Sequence, residues 1–377
     1  MGKLQKHTFM ITVSIILALI VLAATAILIF INSPQFGQLP KGERLQRVLQ
    51  SPNYRNGQFR NLQPTEMMSS RNNNRWQAIW HFLTDKKPDG IIPDTPIPAV
   101  KNDLKKLPAD SDIIVWFGHS SYLLQLSGKR FLVDPVFYKA SPVSFINKPF
   151  PGTDIYKPED LPERIDYLII THDHWDHLDY NTVTELRNRI GKVICPLGVG
   201  QHFEYWGFDP SVLIELDWQE NATLNHGYNV HCLLARHFSG RGLTANKTLW
   251  ASFLLETPSL TVFIGGDSGY GSHYQEIGNK FPNIDLAILE NGQYNENWRH
   301  IHTMPQELGK EAQELGANTV ITVHHSKYAL ARHLWDEPLH NELNAAEQYH
   351  FNLTVLKIGE ITTLTPSKQT TADSDPK

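Results

Sequence analysis

The stretch "IDYLIITHDHWDHLD", residues 165–179, passes from an apolar run into three histidines and three aspartates within nine positions. The run reads as a buried strand, so the polar cluster sits where a rigid element emerges into a loop. Side chains two apart on an extended segment point the same way, which lets His172 and His174 reach one ion. Asp176 and His177 are adjacent and diverge, so they suit a second ion nearby. Imidazole and carboxylate together favour zinc, with iron and manganese as alternatives. Four ligands do not complete two sites. The fold must therefore bring further ligands back to this loop, and that requirement is the strongest constraint in the chain.

Suitable partners stand at the ends of later apolar runs. "LLARHF" supplies His237, "VFIGGDSG" supplies Asp267 beside glycines that permit close backbone approach, and "VITVHHS" supplies His324 with His325 next to it. Strands are expected in "DIIVWFG", "KVICPLG", "NVHCLLARH", "SFLLET" and "IDLAILENG", and a hairpin in "SYLLQLSGKRFLVDP" with Ser127-Gly128 as its turn. "NTVTELRNRIG" predicts a helix closed by Gly191. "TMPQELGKEAQELG" predicts another, with Thr303 as N-cap, Gln306 in the reciprocal position and Gly316 as its stop. Strands with helices between them predict a layered α/β body.

Taken together, "HDHWDH" and the three later positions resemble the metallo-β-lactamase superfamily over roughly residues 111–365. The resemblance implies a four-layer αββα sandwich with a two-metal site at one edge of the sheets. It implies that His172, His174 and His237 hold one metal, that Asp176, His177 and His324 hold the other, and that Asp267 bridges them. "WFGHSSYLLQLSGKRFLVDPVF", "THDHWDHLD", "GGDSGY", "HHSKYALA" and the arm motif "SPNYRNGQFRN" look like the N-acyl-phosphatidylethanolamine-hydrolysing phospholipase D group and its bacterial relatives. That narrower resemblance implies two zinc ions and a phospholipid or other phosphodiester substrate, cleaved to phosphatidic acid and an N-acylethanolamine by a metal-activated water. It also places a histidine in the segment that holds His302, here the expected proton donor to the leaving group. A lactonase or other ester-type hydrolase on the same scaffold is the alternative, and a metal-binding membrane protein without turnover is another. Cysteine fills the second metal site of familiar β-lactamases; neither Cys195 nor Cys232 stands at a ligand position, which disfavours that activity.

Other residues read as supporting ones. His119 and Asp134 suit roles behind the ligands, Asp173 is expected to face solvent, and His325 to point away from the metals. His300 and His333 read as surface histidines. Trp175, Tyr270 and Trp298 are candidates either for packing or for lining a substrate channel.

Residues 8–31 carry no charge, and as a helix they are long enough to span a hydrocarbon core of roughly 30 Å. Lys3 and Lys6 precede the span, so residues 1–7 are expected in the cytoplasm and the catalytic domain outside it, although Arg44 and Arg47 follow. The small-residue "ATA" at 24–26 keeps a cleaved signal peptide as the rival reading. Residues 32–110 read as an arm around the body with a short helix near Trp76, and residues 366–377 as a disordered tail. A net charge of -5 gives no nucleic-acid footprint, and two cysteines leave the redox compartment and oligomeric state open.

Overall fold

The computed structural model describes residues 2–67, 88–143 and 145–365; the expected helix near Trp76 and the tail lie outside them. A short ribbon, β1 (Tyr54–Arg55) and β2 (Gln58–Phe59), precedes the main body. Six strands follow: β3 (Ile113–Trp116), β4 (Tyr122–Leu126), β5 (Lys129–Val133), β6 (Ile165–Ile169), β7 (Ile190–Pro196) and β8 (Leu213–Leu216). Next come β9 (Asn221–Asn225), β10 (Tyr228–Leu233), β11 (Ser252–Glu256), β12 (Thr261–Ile264), β13 (Leu286–Glu290), β14 (Thr319–Val323) and β15 (Asn352–Leu353). The last strand, β16 (Ile361–Thr363), crosses back to pair with β3. Two sheets result, ordered β16-β3-β4-β5-β6-β7-β8 and β15-β14-β13-β12-β11-β10-β9.

Period-two alternation decides the layering, because successive strand side chains point to opposite faces. Leu124, Phe131, Val133, Ile169 and Ile194 of the first sheet meet Val230, Phe253, Val262, Ile288 and Ile321 of the second in one buried cluster. Their sequence neighbours face outward. Leu123, Leu132, Leu168 and Val193 pack under α3 (Tyr180–Leu186) and α4 (Gly200–Tyr205) through Val183, Leu186 and Phe203. Leu254, Phe263, Ala287 and Val320 pack under α5 (His273–Lys280), α6 (Leu308–Leu315) and α7 (Glu337–Tyr349). With both faces covered, the central strands are apolar throughout, and the architecture is the αββα sandwich.

Two helix boundaries differ from expectation. Gly191 does not close a helix: α3 stops at Leu186, a single 3-10 turn follows, and Gly191 lies inside β7. Thr303 does not cap α6, which starts five residues later. Thr303 is buried instead, its hydroxyl 3.0 Å from both the Ser268 carbonyl and the Glu311 carboxylate. Burial of that polar side chain overrode its capping preference. Gly316 ends α6 in the left-handed conformation, φ 63°, as its position predicts.

Strand direction places the site. β5 to β8 run parallel in one sheet and β12 to β15 in the other. Asp134, the 172–177 loop, Asp267, Glu290 and His324 all lie at or just beyond the carboxyl ends of these strands, where open α/β sheets place ligands. Among the described residues, two further α-helices lie outside the sandwich, α1 (Lys3–Ile31, the first helix) and α2 (Gly42–Gln50). Residues 5–31 of α1 are long and apolar enough to cross a membrane, and none of its apolar stretch is buried against the body.

Candidate metal centre

Five imidazoles and two carboxylates form the centre of the site. His172 Nε2 lies 2.8 Å from His174 Nδ1, and His237 Nε2 lies 3.2 Å from the same nitrogen. Asp267 Oδ2 stands 3.9 Å from His172 Nε2 and 3.7 Å from His237 Nε2. Its other oxygen faces a second group, 3.1 Å from His177 Nε2 and 3.2 Å from His324 Nδ1. Asp176 Oδ2 is 3.6 Å from His177 Nε2. The seven side chains thus converge in overlapping groups, and Asp267 faces His172 and His237 with one oxygen and His177 and His324 with the other.

Groups behind three of the imidazoles fix their orientation. His172 Nδ1 meets the Thr171 hydroxyl at 3.0 Å, His177 Nδ1 meets Asp134 Oδ2 at 2.8 Å, and His237 Nδ1–H donates to the Ile301 carbonyl at 2.7 Å. Such partners leave the opposite nitrogen directed at a shared point, the arrangement found behind metal-ligating histidines. Buried His177 Nε2, Asp267 Oδ1 and His324 Nε2 have no hydrogen-bond partner. Unsatisfied buried polar atoms are costly, and divalent cations would satisfy all three, so the donor set fits metal. Burial and neighbouring imidazoles push His172 well below its ordinary pKa, and burial does the same to His237 and His324. All three are therefore neutral near pH 7 with lone pairs free. Burial opposes the charge of Asp267, but His177 and His324 outweigh it and hold the carboxyl well below the usual range.

The backbone is unusual at these positions. His119, Asp134 and His324 adopt positive φ angles of 54°, 41° and 69°. Non-glycine residues hold such angles only where the surroundings over-determine them, and they gather at functional sites. Gly266, φ 62°, precedes Asp267; a Cβ there would stand 2.9 Å from Thr171 Cβ, so the approach of β12 to the histidine loop needs glycine.

His302 lies on the wall of a cavity of about 300 Å³ that opens over the cluster, with Trp298, Phe238, Leu330 and Met67 as its apolar lining. Its Nδ1 is 2.7 Å from Glu290 Oε2 and 4.0 Å from Asp267 Oδ2. The sequence reading missed Glu290, although it too ends an apolar strand at this sheet edge. Burial raises Glu290 to about 7. Burial works against the His302 charge, but Glu290 outweighs it and holds the imidazole above its ordinary value.

The supporting residues divide. His119 Nε2 meets Asp176 Oδ2 at 2.9 Å, and Asp134 buttresses both Thr171 and His177. Asp173 does not face solvent. It is buried, accepting from Gly240 N at 2.7 Å and Thr248 Oγ1 at 2.8 Å, with His202 Nε2 at 3.0 Å. Its charge ties the histidine loop to two neighbouring segments. His325 packs at a tilt against Trp116 and meets Ser326 and Thr322. His333 is only part-exposed and accepts from Gln293 N. Of the three aromatic candidates only Trp298 lines the cavity; Trp175 packs on Phe36, and Tyr270 stacks on Tyr274.

Residues 129–325, more than half of the chain, match the family model described as "Beta-lactamase superfamily domain". The chain belongs to the metallo-β-lactamase superfamily. An uncharacterized protein of Mycobacterium tuberculosis is 35% identical to it over 311 residues, 81% of this chain and 82% of that one. N-acyl-phosphatidylethanolamine-hydrolyzing phospholipase D 1 of Caenorhabditis elegans is 30% identical over 232 residues, 57% of this chain and 64% of that enzyme. The superfamily fold is shared with Igni18, a metallo hydrolase from Ignicoccus hospitalis, at a TM-score of 0.53 and 18% identity, covering 68% of this chain and all of Igni18. This superfamily member resembles the phospholipase D group named above. Its fold and relatives make it a hydrolase with a divalent-metal site.

Proposed function

We propose that the chain is a membrane-anchored phosphodiesterase of phospholipase D type that hydrolyses N-acyl-phosphatidylethanolamine or a related phospholipid with two zinc ions. His172, His174 and His237 would hold one ion, and Asp176, His177 and His324 the other, with Asp267 between them. Bound in these places, the two ions would supply Lewis acidity toward a phosphoryl oxygen and lower the pKa of a water. The observation that carries the reading is one carboxylate, Asp267, facing His172 and His237 with one oxygen and His177 and His324 with the other, beneath a cavity with an apolar wall.

The protein's own groups account for the remaining chemistry. Hydrolysis breaks the bond from phosphorus to the alkoxide of the N-acylethanolamine, and that alkoxide needs a proton. His302, held by Glu290 at 2.7 Å, stands on the cavity wall to deliver it. Trp298, Phe238, Leu330 and Met67 offer apolar surface to acyl chains and reduce water access. Thr171, Asp134 and the Ile301 carbonyl hold the ligand imidazoles and so fix where the reacting phosphorus sits. The relative from Caenorhabditis elegans, whose name states this hydrolysis, supports the substrate class.

The full chain, purified in detergent and loaded with zinc, tests the reading against N-acyl-phosphatidylethanolamine, a generic phosphodiester and a lactone. Release of phosphatidic acid is expected. Turnover of the lactone alone would replace this reading by an ester-type hydrolase, and bound metal with no turnover would leave a non-catalytic metal protein.

A further inference from the structure

We infer that the catalytic body lies on the bilayer through a second surface, made by residues 138–143, 145–148 and 241–245, which holds the histidine loop close to the lipid. The inference rests on α1 being a membrane anchor and goes beyond it, since an anchor alone would allow the body to hang free on a linker.

The first argument is the length of the tether. α1 ends at Ile31, and Gln35 is already clamped to the body. Arg241 donates from Nε at 3.2 Å and Nη2 at 2.9 Å to the Gln35 carbonyl. Lys139 Nζ reaches Gln35 Oε1 at 3.4 Å, Gln35 Nε2 reaches the Pro142 carbonyl at 3.5 Å, and Trp206 Nε1 donates to the Pro34 carbonyl at 2.7 Å. Three residues lie between Ile31 and Gln35, and the four steps span at most about 14 Å when fully extended. The two loops that hold Gln35 therefore cannot move away from the surface that α1 enters.

Those same loops carry the second argument. Leu243 is 87% exposed, Phe145 72% and Ile146 47%. Leu243 shares a hollow of about 310 Å³ with Ile31, Phe36, Leu39 and Lys247, so its apolar surface is continuous with the end of the helix. Lys139 and Lys148 lie in the other loop. Apolar side chains at the tip with lysines beside them suit the boundary between acyl chains and anionic headgroups.

The third argument connects this surface to the site. Phe30 of α1 contacts Phe36 at 5.3 Å between ring centroids, and Phe36 contacts Trp175 at 5.0 Å. Trp175 is the middle residue of the histidine motif and stacks under the Arg241 guanidinium at 4.2 Å. Arg241 Nη1 also donates to the Asp173 carbonyl at 2.9 Å and the Leu178 carbonyl at 2.6 Å. One buried guanidinium thus joins the juxtamembrane turn to both ends of the motif. His174, next to Trp175, forms part of the cavity wall. The juxtamembrane face and the site therefore share the histidine loop.

The test uses the full chain in vesicles of phosphatidylethanolamine and phosphatidylglycerol carrying a nitroxide on the acyl chain. Phe145→Cys, Leu243→Cys and, as control, Leu343→Cys on exposed α7 are each labelled with a fluorophore; native Cys195 and Cys232 are buried, so only the new thiol reacts. Quenching at 145 and 243 is expected to exceed that at 343 by about twofold or more. Flotation with the vesicles is measured on the same samples. Protein that floats but is quenched equally at all three positions overturns the second surface and leaves the anchor standing. Protein that does not float overturns both.

Discussion

At the scale of single residues, the account depends on one carboxylate and one imidazole. Asp267 faces both clusters, one oxygen to each, so Asp267→Asn is expected to lower bound metal and turnover together. Metal analysis beside an activity assay checks this, and full activity in the variant would remove Asp267 from the bridging position. His302→Ala is expected to retain metal yet lose about 10²-fold or more in turnover, the usual size of a lost general acid. Glu290 holds the His302 imidazole above its ordinary pKa. In Glu290→Gln that support is gone, the imidazole loses its proton at lower pH, and the basic limb of the rate profile should move down. A profile unchanged in position would confine Glu290 to packing. The seven metal-seeking side chains were legible because each follows an apolar run. Glu290 follows one as well, but a lone acid after "LAIL" carries no spacing that separates it from a solvated strand end. Asp173 was misread for a related reason. Alternation says which way a side chain points, and it does not reveal that Gly240 and Thr248 return to meet it.

At the scale of elements, strands were easier to read than helix ends. Runs such as "VITV" and "LAILE" are buried on both faces, and that pattern survives any detail of the loops. The start of α6 did not, because the partners of Thr303 are distant in sequence. A buried acid on α7 gives a test of element packing. Glu342 accepts from the Thr322 hydroxyl of β14, and burial raises its pKa to about 7. Below the unfolded value of 4.5 the group is protonated in both states and has no effect on pH dependence. As pH rises toward 7 the unfolded chain releases a proton that the folded chain keeps, so folding loses stability, by up to ~3 kcal/mol above pH 7. Glu342→Gln should therefore raise the melting temperature at pH 8 and leave it near wild type at pH 4. Equal effects at the two pH values would show that the acid is not held neutral by burial.

At the scale of the whole molecule, the sheets explain why so scattered a set of ligands meets. Two blocks of parallel strands end at one edge, so residues from 119 to 324 gather there although more than two hundred positions separate them. A layered α/β body followed from strand-helix alternation and the four-layer order from the family resemblance, whereas the path of the arm followed from neither. Its hold on the body rests on contacts such as Asn61 Nδ2 to the His237 carbonyl at 2.8 Å and Arg44 to Glu215 at 2.5 Å, which no local pattern announces. The central claim is that the gathered edge is a two-metal centre whose halves share Asp267. The direct measurement is the metal content of the purified full chain, set beside those of His237→Ala and His324→Ala. The account predicts about two divalent ions per chain, falling to about one in each variant. A fully active wild-type protein holding a single ion would contradict it.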